Sequence, residues 1–169
     1  MIKQRKIIEV SLYRKALVYD AENIAFIIGD NMQGGDEKEK SGVMDLGQDG
    51  NVDRVTRVLN KSFNELVYAL TAYTKEDTME DCVVDNLFTE PEIYVLKLSV
   101  PVTFSKPNIE AVKTAAHEYL VCMSLFEWFM ITKKDEAQGY YDRAQMELVK
   151  LKGYLEARTK MTRRRLSTF

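Results

Sequence analysis

The stretch from Ser105 to Leu155 constrains the fold of this chain more than any other part of it. Ser105 is a residue type that caps helices, and Pro107 suits a first helical turn, where the N–H that proline lacks has no intrahelical partner. A helix to about Thr132 is expected. Its stripe is Ile109, Val112, Ala116, Tyr119, Met123, Phe126 and Met130, and Leu120, Leu125, Trp128 and Phe129 spread apolar character over most of the remaining circumference. A helix apolar on most sides belongs in the centre of a core or an interface. From Asp135 a second helix places Ala137, Tyr141, Ala144, Leu148, Leu151 and Leu155 in alternating steps of four and three, the seam of helix-on-helix packing. The short turn between the two predicts an antiparallel hairpin.

The rest of the chain must supply what packs on that hairpin. Val10, Tyr13, Leu17, Ala21, Ile24 and Ile28 fall on one helical face and predict a helix over Ile7–Ile28. A strand over Lys6–Leu12 stays open, because Ile7, Ile8 and Val10 are β-branched. Gly29 to Gly50 has six glycines among acids and no sustained period, which reads as a long loop. Val52, Val55, Leu59, Phe63, Leu66, Leu70 and Tyr73 restore the helical period, with Asn51 placed as its cap. An acidic connection follows from Glu76 to Glu90. Glu92–Val100, between Pro91 and Pro101, has the β-branched and aromatic content of a strand. The fold class expected is therefore mainly α: a helical bundle with a C-terminal antiparallel helix hairpin, one short strand or β-hairpin, and a long acidic Gly-rich loop. Residues 1–162 form a single helical domain in this reading, and 163–169 a basic C-terminal arm.

Charge and cysteine content narrow the functional classes. The net charge of −2 opposes a surface built wholly for nucleic acid, but the charge is polarised. Asp30 to Asp53 holds seven acids against two bases, and Lys150 to Arg165 holds seven bases against one acid. Cys82 and Cys122 lack the spacing of a disulfide scaffold or a structural zinc site, so reduced thiols are expected. No signal-peptide core follows the basic start, and no apolar run approaches the roughly 20 residues of a membrane span. The expectation is a soluble protein with no membrane partner.

The search for chemistry yields little. The single histidine, His117, has no second histidine and no HExxH around it, and reads as a hydrogen-bonded residue at a helix contact. The glycines match neither phosphate-binding pattern. Asp45, Asp49 and Asp53 lack the calcium-loop pattern and read as solvated acids. No GxSxG motif and no Cys/His nucleophile pair stands out. Tyr119, Phe126, Trp128, Phe129, Tyr140 and Tyr141 read as core or interface before ligand pocket. The reading is no enzyme, with no catalytic residue, cofactor or metal. The conspicuous feature is Arg163-Arg164-Arg165 beside Leu166 and Phe169. Three readings stay open for it: a solvated basic end, forked bonds to carboxylates of a partner protein, or contact with phosphates. Arg158, Lys160, Arg163, Arg164, Arg165 and Phe169 are the candidate partner-binding residues.

Several segments together carry a resemblance. They are Arg5-Lys6 followed by Tyr13-Arg14-Lys15-Ala16-Leu17-Val18-Tyr19-Asp20, then Asp49 through Asn60, His117-Glu118-Tyr119-Leu120-Val121-Cys122, and Ala157 through Phe169. In order and spacing they resemble small virion structural proteins of gut phages and prophages, including the crAss-like group, over most of the chain. The architecture is similar to helical head-tail connectors. That resemblance implies a virion structural protein, a head-tail connector or portal-adjacent ring subunit, acting by protein-protein assembly around the DNA channel. It further implies a homo-oligomeric ring, portal or other tail and neck proteins as partners, genomic DNA passing without specific binding, and residence in the virion and, during assembly, the host cytoplasm. The alternative is a DNA-binding or packaging-related regulatory protein that uses the basic C-terminal end.

Overall fold

The computed structural model describes residues 5–34, 36–74, 90–102 and 104–156. Strand β1 (Arg5–Tyr13) runs straight into helix α1 (Arg14–Asp30). Helix α2 (Glu37–Met44) and a 3-10 turn (Asp45–Gly47) lead to α3 (Asp49–Ala69). Strand β2 (Ile93–Pro101) precedes α4 (Lys106–Thr132) and α5 (Lys134–Glu156). The described residues are thus mainly helical, with one two-stranded antiparallel sheet.

The start of the chain departs from the helix expected over Ile7–Ile28. Residues Arg5 to Tyr13 pair antiparallel with β2, and Ile8, Val10 and Leu12 face inward opposite Leu98, Leu96 and Tyr94. Those three residues are two apart, so a helix would have scattered them around its circumference while a strand puts them on one face. The ladder carries on to Arg14, whose N–H donates to the Glu92 carbonyl at 3.0 Å. The helical stripe begins only at Leu17 and continues through Ala21, Ala25 and Gly29, all buried. The strand expected near Glu92–Val100 thereby finds its partner within the chain.

The expected loop over Gly29–Gly50 is instead a helical corner. Glu37 and Glu39 lie in the first turn of α2, where they favour the helix dipole. Gly34 has φ +84°, a conformation open to glycine. Gly29 is needed for a different reason, close approach. A Cβ there would lie 2.6 Å from Met44 Cγ and 3.1 Å from the Lys40 carbonyl, so its bareness lets α1 and α2 touch. Sequence periodicity misses α2 because its two turns bury one residue, Val43. Tertiary contacts hold it, among them the Trp128 indole, which donates to the Val43 carbonyl at 2.9 Å.

Asn51 does not cap α3. The helix starts at Asp49 after Gln48, and the Asn51 side-chain amide donates to the Asp45 carbonyl at 2.7 Å. Asp45 is the knot of this corner, its carboxylate accepting from Ser41 Oγ (3.2 Å) and Gln48 Nε2 (2.8 Å). Ser105 does sit at the cap position of α4, with Pro107 in the first turn, but its side chain makes no capping bond.

Helix α4 is the centre of the molecule. Val121 to Leu125 are five consecutive buried residues, as an all-round apolar helix requires, and α1, α2, α3, α5 and β1 each pack on it. Its most extensive contact is with α5. Glu118 meets Arg143, Phe126 meets Tyr141 and Phe129 meets Tyr140, so as α4 advances α5 retreats, and the pair is an antiparallel hairpin. Ala137, Ala144, Leu151 and Leu155 bury the α5 side of this seam.

Candidate functional site

Besides the Trp128 bond to α2, polar contacts among the described residues join α3 to the sheet and α1, and α4 to α1. On α3, Thr56 and Asn60 are buried one turn apart. Thr56 Oγ1 accepts from Arg14 Nη1 at 3.1 Å, and Asn60 Oδ1 accepts from the Tyr94 hydroxyl at 2.6 Å. This polar seam fixes the sheet and the start of α1 to α3, and the Tyr94 ring packs on Phe63 with centroids 5.1 Å apart. Burial pushes the Tyr94 phenol up to about 12 against the opposing pull of Arg14, so it is a neutral donor at ordinary pH. The second contact is a hydrogen bond of 2.7 Å between His117 Nε2 and Asp20 Oδ2, tying α4 to α1. His117 thus stands at a helix-helix contact, as expected.

The nucleophile in the core is sealed. Cys122 is buried, and burial pushes its thiol up to about 11, which leaves the thiolate, the reactive form, scarce at neutral pH. Among the described residues no group of three or more His, Cys, Asp or Glu side chains could hold a metal ion. Asp49 and Asp53 are exposed on α3, whereas Asp45 is half-buried and hydrogen-bonded to Ser41 and Gln48.

The outer surface holds more of interest. Buried and more open residues alternate along β1 and along β2 as far as Leu98, after which Ser99 and Val100 are both buried, and the outward set exposes Ile7, Tyr13, Ile93 and Val95. Glu9 lies opposite Lys97 in the middle of that face. Helix α1 turns Tyr19, Phe26 and Ile27 to solvent, each more than half exposed. Met130 and Ile131 are exposed at the end of α4. Scattered apolar residues on a surface are ordinary, but grouped ones mark contact sites.

Of the expected contact residues, Arg158, Lys160, Arg163, Arg164, Arg165 and Phe169 lie outside the described residues. The basic run begins within them at Lys150, which bonds Glu147 at 2.6 Å, and Lys152. Of the aromatic series, Tyr119, Trp128 and Phe129 are core, while Phe126, Tyr140 and Tyr141 line the α4–α5 seam. Sequence reasoning missed the exposed faces of α1 and of the sheet. The signal was a second apolar set, Tyr19 and Phe26, seven residues apart and off the buried stripe.

Compared with protein-family models, curated proteins and solved structures, the chain has no match in any of the three. No helix among the described residues is long and apolar enough to cross a membrane.

Proposed function

We propose that this protein is a non-enzymatic virion structural subunit, of the head-tail connector or portal-adjacent ring type, that works by packing against other protein subunits. The observation that carries the assembly part of this reading is the outer face of the sheet. Tyr13, Ile93 and Val95 stand exposed together at one end of that face, and Ile7 is exposed beyond the Glu9 and Lys97 pair. Such a face gains from burial about 25 cal/mol per Å² of apolar surface, and a neighbouring subunit is what a ring offers to bury it. In a closed ring the patch meets a different patch on the next copy. The exposed acids between α1 and α3, Asp36, Glu37, Glu39, Asp49 and Asp53, suit a surface along which DNA slides without being held. The basic end from Arg158 to Arg165 then engages carboxylates of the portal or a tail protein. The viral identity and the place in the particle rest on the sequence resemblance.

The test is native mass and negative-stain microscopy of the full chain, alone and mixed with a candidate portal. A closed ring is expected, and Ile93→Lys with Val95→Lys should disperse it while circular dichroism stays the same. Replacing Arg163, Arg164 and Arg165 by alanine should weaken portal association and spare the ring. A chain that stays monomeric with and without portal refutes the reading, and tight salt-dependent DNA binding by the isolated chain favours the regulatory alternative.

A further inference from the structure

We propose that the exposed face of α1 is a self-association site, where α1 of a second copy of this chain packs antiparallel across a twofold axis. The face is defined by Lys15, Tyr19, Phe26 and Asp30, spaced four, seven and four residues apart. These steps keep all four on one side of a helix, away from the buried stripe of Leu17, Ala21 and Ala25. Tyr19 is 62% exposed and Phe26 54%, an unusual cost for two aromatic rings that the described residues leave largely open.

The spacing reads the same in both directions, and this is what selects the partner. An isologous contact needs each residue to face the residue equally far on the other side of the axis. With the axis between Glu22 and Asn23, Tyr19 of one copy lies opposite Phe26 of the other, and Lys15 opposite Asp30. One pairing gives two aromatic contacts and two ion pairs, all symmetry-related. Lys15 and Asp30 are both exposed, and among the described residues neither belongs to an ion pair within the chain. The like charge nearest the axis is Glu22, whose carboxylate is drawn aside over Gly47, out of the seam. Ile27, also more than half exposed, adds apolar surface on the flank. A parallel arrangement would set Lys15 against Lys15 and Asp30 against Asp30, and the charges oppose it.

The pairing is independent of the proposed ring, which uses the sheet and the basic end. The experiment is analytical ultracentrifugation of the full chain over a range of concentrations. A twofold-paired species, a dimer or two rings joined through α1, is expected for the unmodified chain, and Phe26→Asp should halve its mass with unchanged circular dichroism. Lys15→Glu and Asp30→Lys should each raise Kd by about tenfold, the effect of about 1.4 kcal/mol, and the double exchange should restore it. Asn23→Cys beside the axis, with Cys82→Ser, should form a disulfide-linked dimer on mild oxidation. An unmodified chain that stays monomeric, or an oligomer indifferent to Phe26→Asp and to both charge exchanges, overturns the proposal. A dimer without rings would refute the ring and leave this site standing, whereas a ring indifferent to α1 would do the reverse.

Discussion

Replacing Trp128 by phenylalanine should unfasten α2 before it unfolds the rest. The last carbonyls of any helix lack intrahelical partners, and the carbonyl of Val43, next to the last residue of α2, takes the Trp128 indole N–H at 2.9 Å. A helix of eight residues has little stability of its own in water, so this anchor and the burial of Val43 decide whether α2 persists. Phenylalanine keeps a ring but no donor. Leaving the carbonyl unpaired in a buried site costs about 1–3 kcal/mol. The smaller ring loses packing at a residue only 7% exposed, adding about 1 kcal/mol. The total of about 2–4 kcal/mol lowers Tm by roughly 4–16 °C for a chain of this size. Urea titration gives the global change, and amide hydrogen exchange over residues 37–44 should accelerate by more than that change alone accounts for. A loss below about 0.5 kcal/mol with exchange unaltered in α2 refutes the reasoning, because water or a neighbour then replaces the indole without penalty.

Two glycines on other helices should respond in opposite directions. Gly29→Ala forces a methyl against Met44 Cγ and the Lys40 carbonyl and should destabilise by about 1–3 kcal/mol, whereas Gly153→Ala, which meets open space in α5, should stabilise by about 0.5–1 kcal/mol in the same urea titration. Burial holds the Tyr94 and Tyr119 phenols up near 12, above the ordinary 10.0, so the fold favours their neutral forms. Their contribution is complete below pH 10 and is lost as pH rises toward 12, so stability should fall across that window, and less steeply in Tyr94→Phe and Tyr119→Phe. With Cys82→Ser in place, Cys122 should react with a thiol reagent at pH 8 only as fast as the protein unfolds, and rapid stoichiometric labelling of native protein would contradict its burial. Exchanging His117 for leucine should weaken the α1–α4 contact by about 1–2 kcal/mol, because Asp20 loses its hydrogen-bond partner at a half-exposed site.

The hairpin was legible from sequence because its two helices carry their own instructions. A helical period sustained through both, an apolar circumference on α4 and a 4-3 seam on α5 leave one way to hide the surface. The same holds for α3, whose stripe from Val55 to Leu70 is the stripe the core buries. His117 was legible as a contact residue, though only the fold could supply Asp20 as its partner.

Elsewhere the decisive partner lay far along the chain. Whether Lys6–Leu12 was a strand or the start of a helix depended on β2, more than eighty residues away, since a strand has no hydrogen bonds until it is paired. Helix α2 was invisible because local period was never what held it; Trp128 and the bare Gly29 do so from α4 and α1. The exposed faces of α1 and of the sheet followed the same rule. A sequence marks which residues are apolar, but only the packed molecule decides which of them its own core has left uncovered. In Tyr19 and Phe26 the sequence determined a symmetric pattern, and the tertiary structure decided that it faces outward.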